Sequence, residues 1–250
     1  MGPMCDFSYA HFDAFVGDCV EQGYRFVTQD EIVNGVSSSA RTIFLRHDVD
    51  HSMEAAAEMA ERERRLGARA SYYLLLHGEY DLLSADGLAA LRTIQRCGHD
   101  IALHYDVAFY DSQGLSVADG VAQDLALLRA ISGSPVTSMS AHNPTTTRQL
   151  SDAETRGIQD VHSAAGPRGY RYLSDSCQRW REGCACGYVG RESTLHVLIH
   201  PIWWRERHTD LFDIIEERRE AERRRVDARH AATAEHFRDC LLARQAPAAQ

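Results

Sequence analysis

Five ionisable side chains follow one short apolar run: residues 42–45 lead into Arg46-His-Asp-Val-Asp50-His51. Imidazoles and carboxylates gathered at one place suit a metal site. A strand alternates its side chains between two faces, so Asp48 and Asp50 project to the same side if extended structure persists through them. One of the two could hold a cation while the other handles protons.

The elements that must position these groups follow from the hydrophobic pattern. Short β-rich runs recur at 42–45, 70–76, 100–103, 136–141, 170–173 and Thr194–Ile199, with helical segments between them. This alternation indicates parallel βα units. The spacing predicts helices over Met53–Leu66, Ala85–Arg96 and 117–131, and Gly67 stands where a helix C′ glycine is expected. The strand ends carry the chemistry: His47, Asp48 and Asp50 end the first run, His77 the second, and His104, Tyr105 and Asp106 the third. His142 and Asn143 end the fourth, Asp175 the fifth and His200 the last. In a parallel barrel such ends converge on one face, where active sites sit.

A hydrolytic zinc site commonly has three His or carboxylate ligands and leaves one position for water. Asp50, His104 and His142, on three different strand ends, offer such a set, with Asp48 beside them as a base. The ordered motifs resemble the polysaccharide deacetylases of the carbohydrate esterase type, in a divergent branch with His-Asp-Val-Asp in place of an adjacent Asp-Asp pair. The resemblance runs from about Thr42 to Trp204: Arg46-His-Asp-Val-Asp50, Gly67-Ala-Arg-Ala-Ser-Tyr-Tyr73, Gly98-His-Asp-Ile-Ala-Leu-His104, Ser140-Ala-His-Asn-Pro144, Asp175 to Trp180, and Leu198-Ile-His200-Pro201.

The resemblance implies an α/β fold, a distorted (β/α)7-8 barrel, and removal of an acyl group from an amide nitrogen. It also implies a divalent metal held by one Asp and two His, with zinc foremost and cobalt, nickel, iron or manganese as alternatives. Asp50 takes the ligand role and Asp48 the base role, an assignment the two aspartates could exchange. The family's second metal histidine lies four residues beyond the first, where this chain has Ala108. His142 is the replacement, stiffened by Pro144; Asp106 competes with it, as ligand or as an acceptor orienting a His. His200 serves as general acid, held and tuned by Asp175. Tyr105, with a backbone N–H facing the oxyanion, Asp106, Trp180 and Trp203 are the expected substrate contacts, and Trp204 could extend the same apolar wall.

A length of 250 residues with 44% hydrophobic and 25% charged residues fits one barrel domain over 1–205. Beyond it the charge alternates, predicting a helix over 206–244 packed on the same domain, where a homo-oligomer could also form, and a frayed tail at 245–250. A net charge of −9 argues against nucleic acid, and no apolar run is long enough to cross a membrane. The N-terminus lacks signal-peptide features and seven cysteines form no framework, so a cytoplasmic location is expected. Cys177, Cys184 and Cys186 read as free thiols in an insertion, since structural zinc more often uses wider Cys pairs and a fourth ligand. The expected substrate is an acylated amino sugar or similar small metabolite. Rival readings are a hydrolase of cyclic amides or ureides on the same barrel, and a barrel whose metal site has decayed.

Overall fold

The computed structural model of the chain describes residues 5–35, 41–143, 157–162 and 167–245; Pro144 and the tail beyond 245 lie outside them. The chain divides into two compact units, Met1–His208 and Thr209–Gln250.

The described residues of the first unit form eight strands: β1 (Arg25–Phe26), β2 (Thr42–Val49), β3 (Ser71–Leu75), β4 (Asp100–Tyr105), β5 (Ser138–Ala141), β6 (Gln159–Asp160), β7 (Arg171–Ser174) and β8 (Thr194–Ile199). Every ladder is parallel, in the order β6-β5-β4-β3-β2-β8-β7, and β1 pairs with the start of β2. The sheet curls as a half-barrel, so the α/β barrel expectation holds. Among the described residues no ladder joins β6 to β7. Helices α1 (Tyr9–Glu21), α2 (Gln29–Val33), α3 (Met53–Leu66), α4 (Ala85–Arg96), α5 (Val107–Ser112) and α6 (Val117–Ser132) connect the strands.

Local chemistry sets the helix limits. On α3, Ser52 accepts from the Ala55 N–H, and Gly67 ends the helix at φ 79, a left-handed conformation that costs glycine little. The face of α3 carrying Met53, Ala56, Met59 and Ala60 is buried.

Register then sorts the side chains. Parallel pairing aligns Phe44 with His196, Arg46 with Leu198, Asp48 with Tyr73, and His104 with both Leu75 and Ser140. Alternation therefore points Phe44, Arg46, Asp48 and Asp50 to the concave face, and Ile43, Leu45, His47 and Val49 to the helices. The concave face is apolar at its base, where Val27, Phe44, Tyr73, Ala102 and Val161 pack together, and polar at the carboxyl ends of the strands.

Three features depart from expectation. β2 runs four residues beyond the apolar run, to Val49, because Arg46 and Asp48 satisfy each other and no breaker intervenes. The two-residue strands β1 and β6 and helices α1, α2 and α5 are additional, being too short or too weakly patterned to read. The charged helix, α7 (Leu211–Gln245), starts later than 206, with the Phe212 N–H on the Asp210 carboxylate. It carries ion pairs at three- and four-residue spacing, such as Arg224–Glu220, and exposes Phe212, Phe237, Leu241 and Leu242.

On the outer face of β2, His47 meets the buried Glu63 of α3 at 2.6 Å, and the Tyr72 hydroxyl donates to the other Glu63 oxygen at 2.7 Å. Burial acts to raise the Glu63 pKa, but His47 outweighs it and holds the carboxyl below its ordinary value. Removing one member of a buried pair leaves the other uncompensated. Glu63→Ala is therefore expected to destabilise the protein by about 3 kcal/mol or more in chemical denaturation; a loss under about 1 kcal/mol would place this network outside the stability of the fold.

Candidate active site

At the carboxyl end of β2, Asp50 Oδ1 lies 3.2 Å from His104 Nε2 and 3.4 Å from His142 Nδ1, and the two ring nitrogens are 3.3 Å apart. Three donor atoms around a tetrahedral zinc, with bonds of ~2.0–2.1 Å, are separated by about 3.3 Å. The triangle thus matches one face of that tetrahedron and leaves the fourth corner open. Asp50 Oδ1 is buried with no hydrogen-bond partner among the described residues, although two imidazoles stand beside it. Its geometry suits a shared cation better than either ring.

The surroundings fix the rings. His104 Nδ1 donates to the Ser140 carbonyl at 3.0 Å, which leaves Nε2 as the lone-pair nitrogen. The His142 backbone N–H donates to the Tyr105 carbonyl, and the Asn143 amide lies 2.9 Å from His142 Nε2. With that amide turned to accept from Nε2–H, Nδ1 is free to ligate. Burial works to raise the Asp50 pKa, yet His104 and His142 hold it well below the carboxylate range. His142 is raised in return, chiefly by the Asp50 carboxylate beside it.

Asp48, below Asp50 on the same face, is gripped in a fork. Arg46 Nε donates to Oδ1 at 2.7 Å and Nη2 to Oδ2 at 2.5 Å, with both side chains buried. Burial acts against the charge, but Arg46 prevails and lowers the Asp48 pKa to about 2. Arg46 also donates to the Ser140 hydroxyl, and its Nη1 has no partner among the described residues.

Across the mouth, His200 Nε2 is 3.7 Å from Asp50 Oδ2, and Nδ1 is 2.7 Å from Asp175 Oδ1. Asp175 is fully buried and also accepts from the His200 backbone N–H and from Trp204 Nε1 at 2.9 Å. Burial disfavours the imidazolium, but Asp175 overrides it and raises His200 to about 9.

These groups open into a cavity of about 520 Å³. Its wall includes Arg46, Asp48, Asp50, His104, His142 and His200, and beyond them His162, Arg168, Tyr172, Arg181, Glu182 and His196. Sequence reasoning missed this second set. Only the parity of β7 and β8 could have signalled Tyr172 and His196, and nothing in the sequence singled out Arg168 or Arg181. Burial, helped by the Arg46 charge, holds His196 well below the ordinary imidazole value, and His162 is likewise lowered to about 4.

Six of the ten predicted site residues therefore meet: Asp48, Asp50, His104, His142, Asp175 and His200. The other four do not line the cavity. Tyr105, next to His104 on β4, faces the opposite way and donates to Asp160 at 2.7 Å. Asp106 caps α5, accepting from the Ala108 and Phe109 N–H groups. Trp180 stacks on Phe7, and Trp203 is buried 6.4 Å from the His200 ring. His47 points away, His99 accepts from the Ala70 N–H after the turn at Gly98, and His77 is held by Asp124.

No protein-family model and no curated protein sequence matches the chain. Solved structures similar to it include IcaB from Ammonifex degensii, at 15% identity and TM-score 0.47, over 60% of this chain and 72% of that one. The chitin deacetylase from the fungal pathogen Colletotrichum lindemuthianum is similar at 16% identity and TM-score 0.46, over 73% of this chain and 82% of that one. BA3943, a CE4 family pseudoenzyme from Bacillus anthracis, is similar at 13% identity and TM-score 0.45, over 74% and 63% of the two chains. At such identities the likeness concerns the fold alone, and the site stands on its own geometry.

His142→Ala is expected to weaken zinc binding at this centre by roughly 100-fold or more, since even groups that only orient a ligand contribute 10–100-fold. Asp106→Ala should leave the affinity unchanged. The reverse ranking in a competitive chelator titration would make Asp106 the third ligand.

Proposed function

We propose that the protein is a metal-dependent amide hydrolase that removes an acetyl or other small acyl group from an amino sugar or metabolite of similar size. The observation that carries this reading is the juxtaposition of the Asp50–His104–His142 triangle with an ionised carboxylate on one side and a carboxylate-held imidazole on the other. Asp50, His104 and His142 would hold the metal, zinc foremost. When bound, a divalent cation there supplies a Lewis acid and brings water towards ionisation near neutral pH.

The chain's own groups do the rest. Asp48 stays charged because Arg46 grips it, and two of its roughly four lone-pair positions remain to accept from the attacking water. Its low basicity suits partial proton acceptance during attack better than storage of a full proton. His200, protonated at neutral pH, donates from Nε2 to the leaving nitrogen while Asp175 holds Nδ1. Arg46 Nη1 and His196 Nε2, both in residues of the cavity wall, are buried and without a hydrogen-bond partner among the described residues.

A cavity of about 520 Å³ falls in the range of small-molecule sites, which favours a metabolite over a polymer chain. Arg168 and Arg181 in its wall favour a substrate with a carboxylate or phosphate beside the acylamino group. No helix among the described residues is long and apolar enough to cross a membrane, and a cytoplasmic metabolite substrate accords with the sequence expectation.

The test compares wild type with His104→Ala and Asp48→Asn for metal content and for acyl release from acidic N-acetylated amino sugars. His104→Ala should lose an equivalent of metal and all turnover, and Asp48→Asn should keep the metal and lose turnover. Metal content equal in His104→Ala and wild type would sink the hydrolase reading and leave a decayed barrel. The acid form of His200 is lost as pH rises through about 9, so turnover should fall on that limb. Asp175→Asn should move the limb down towards the ordinary imidazole range, near 6.5; an unmoved limb would remove His200 as the acid.

A further inference from the structure

A second cluster of ligating side chains lies outside the cavity. Cys5, His11, Cys184 and Cys186 each present one donor atom, and all four atoms lie within 4.8 Å of one another. Cys5 Sγ is 3.5 Å from Cys186 Sγ, and Cys184 Sγ is 3.5 Å from His11 Nε2. Bonds of ~2.3 Å to sulfur and ~2.0 Å to nitrogen at tetrahedral angles separate two sulfurs by about 3.8 Å and sulfur from nitrogen by about 3.5 Å. A disulfide would require ~2.05 Å between the sulfurs. The observed distances are close to those of donors arranged around one ion.

The neighbours of the cluster support that arrangement. His11 is buried, and its Nδ1 donates to the Asp6 carbonyl at 2.6 Å, which leaves Nε2 as the lone pair facing the sulfurs. The Gly187 backbone N–H donates to the Cys184 carbonyl, and a 3-10 turn over Ala185–Tyr188 brings both cysteines to one side. Three thiols and one imidazole fill a tetrahedron completely. A closed set of this kind is structural, because it leaves no position for substrate.

We propose that Cys5, His11, Cys184 and Cys186 bind a structural zinc ion that clips the N-terminal segment to the segment around 176–190. Both segments bear on the cavity. Ser176, Arg181 and Glu182 belong to its wall, while Phe7, His11 and Phe12 pack against Trp204, whose indole N–H holds Asp175. The clip steadies one side of the cavity and the support of His200 together. Its existence does not depend on the activity proposed above.

Loading reduced protein with cobalt(II) tests the proposal, because a thiolate-to-cobalt charge-transfer band in the near ultraviolet cannot arise from a site made only of Asp and His. His104→Ala should retain the band, and Cys184→Ser should lose it. In the unmodified chain, zinc should protect Cys5, Cys184 and Cys186 from alkylation, read by mass spectrometry. Cys177 and Cys240, as exposed as Cys5, should label at the same rate with or without zinc. Absence of the band in cobalt-loaded His104→Ala, or equal labelling of Cys5 and Cys177 in the presence of zinc, overturns the proposal. A Cys5–Cys186 disulfide in freshly isolated protein overturns it too.

Discussion

On β2 the side chains of Arg46, Asp48 and Asp50 project to the concave face while His47 projects to the helices, and a one-residue slip against β3 or β8 would exchange the two sets. The slip is resisted on both faces. Outside, His47 would lose Glu63 and strand a charge beneath α3. Inside, Arg46 and Asp48 are so deeply buried that neither charge is tolerable without the other. The paired charges thus fix the register, and the register aims Asp50 at His104 and His142. The same alternation on β8 brings Leu198 and His200 to the concave face.

The interior changes character along the strands, from the apolar packing of Phe44, Tyr73 and Ala102 to the polar mouth. Arg46 sits where the two meet, its guanidinium 5.1 Å from the Tyr73 ring centre and its fork on Asp48. Opposite it, Asp175 is buried completely yet accepts three kinds of donor, from the His200 backbone, its ring and the Trp204 indole. Each of these carboxylates thereby faces its own partners: Arg46 for Asp48, His104 and His142 for Asp50, and His200 for Asp175. Among the described residues that line the cavity, Asp50 Oδ1, Arg46 Nη1 and His196 Nε2 are the buried polar atoms without a hydrogen-bond partner.

Much of this was legible in the sequence because it follows from period-two alternation and from residues that end strands. The six strands with apolar runs, the helices at 53–66 and 85–96, and the six residues that meet at the mouth all follow those two rules. The Tyr105 side chain lies away from the cavity because alternation also turns the neighbour of an inward residue outward. Trp180 and Trp203 were misjudged because aromatic residues near a site more often pack than line it. The cavity wall at Arg168 and Arg181 and the group formed by Cys5, His11, Cys184 and Cys186 were beyond reach, since the local pattern carries no record of contacts across such separations. Cys177, near the pair in sequence, is exposed and outside that group.

Ser8 forms a parallel bridge with Arg205, the Tyr9 N–H meets the Arg205 carbonyl at 2.6 Å, and β2 takes β8 as its neighbour. During synthesis Ser8 and Tyr9 therefore lack their backbone partner Arg205, and β2 its neighbour β8, until nearly all of the barrel has left the ribosome. Until then β2 presents an open edge, with its charges unburied on one flank. Contacts this distant in sequence slow folding. The nascent chain is then most exposed to aggregation in the interval before residues 194–205 emerge, a period governed by translation rate rather than by the stability of the finished barrel.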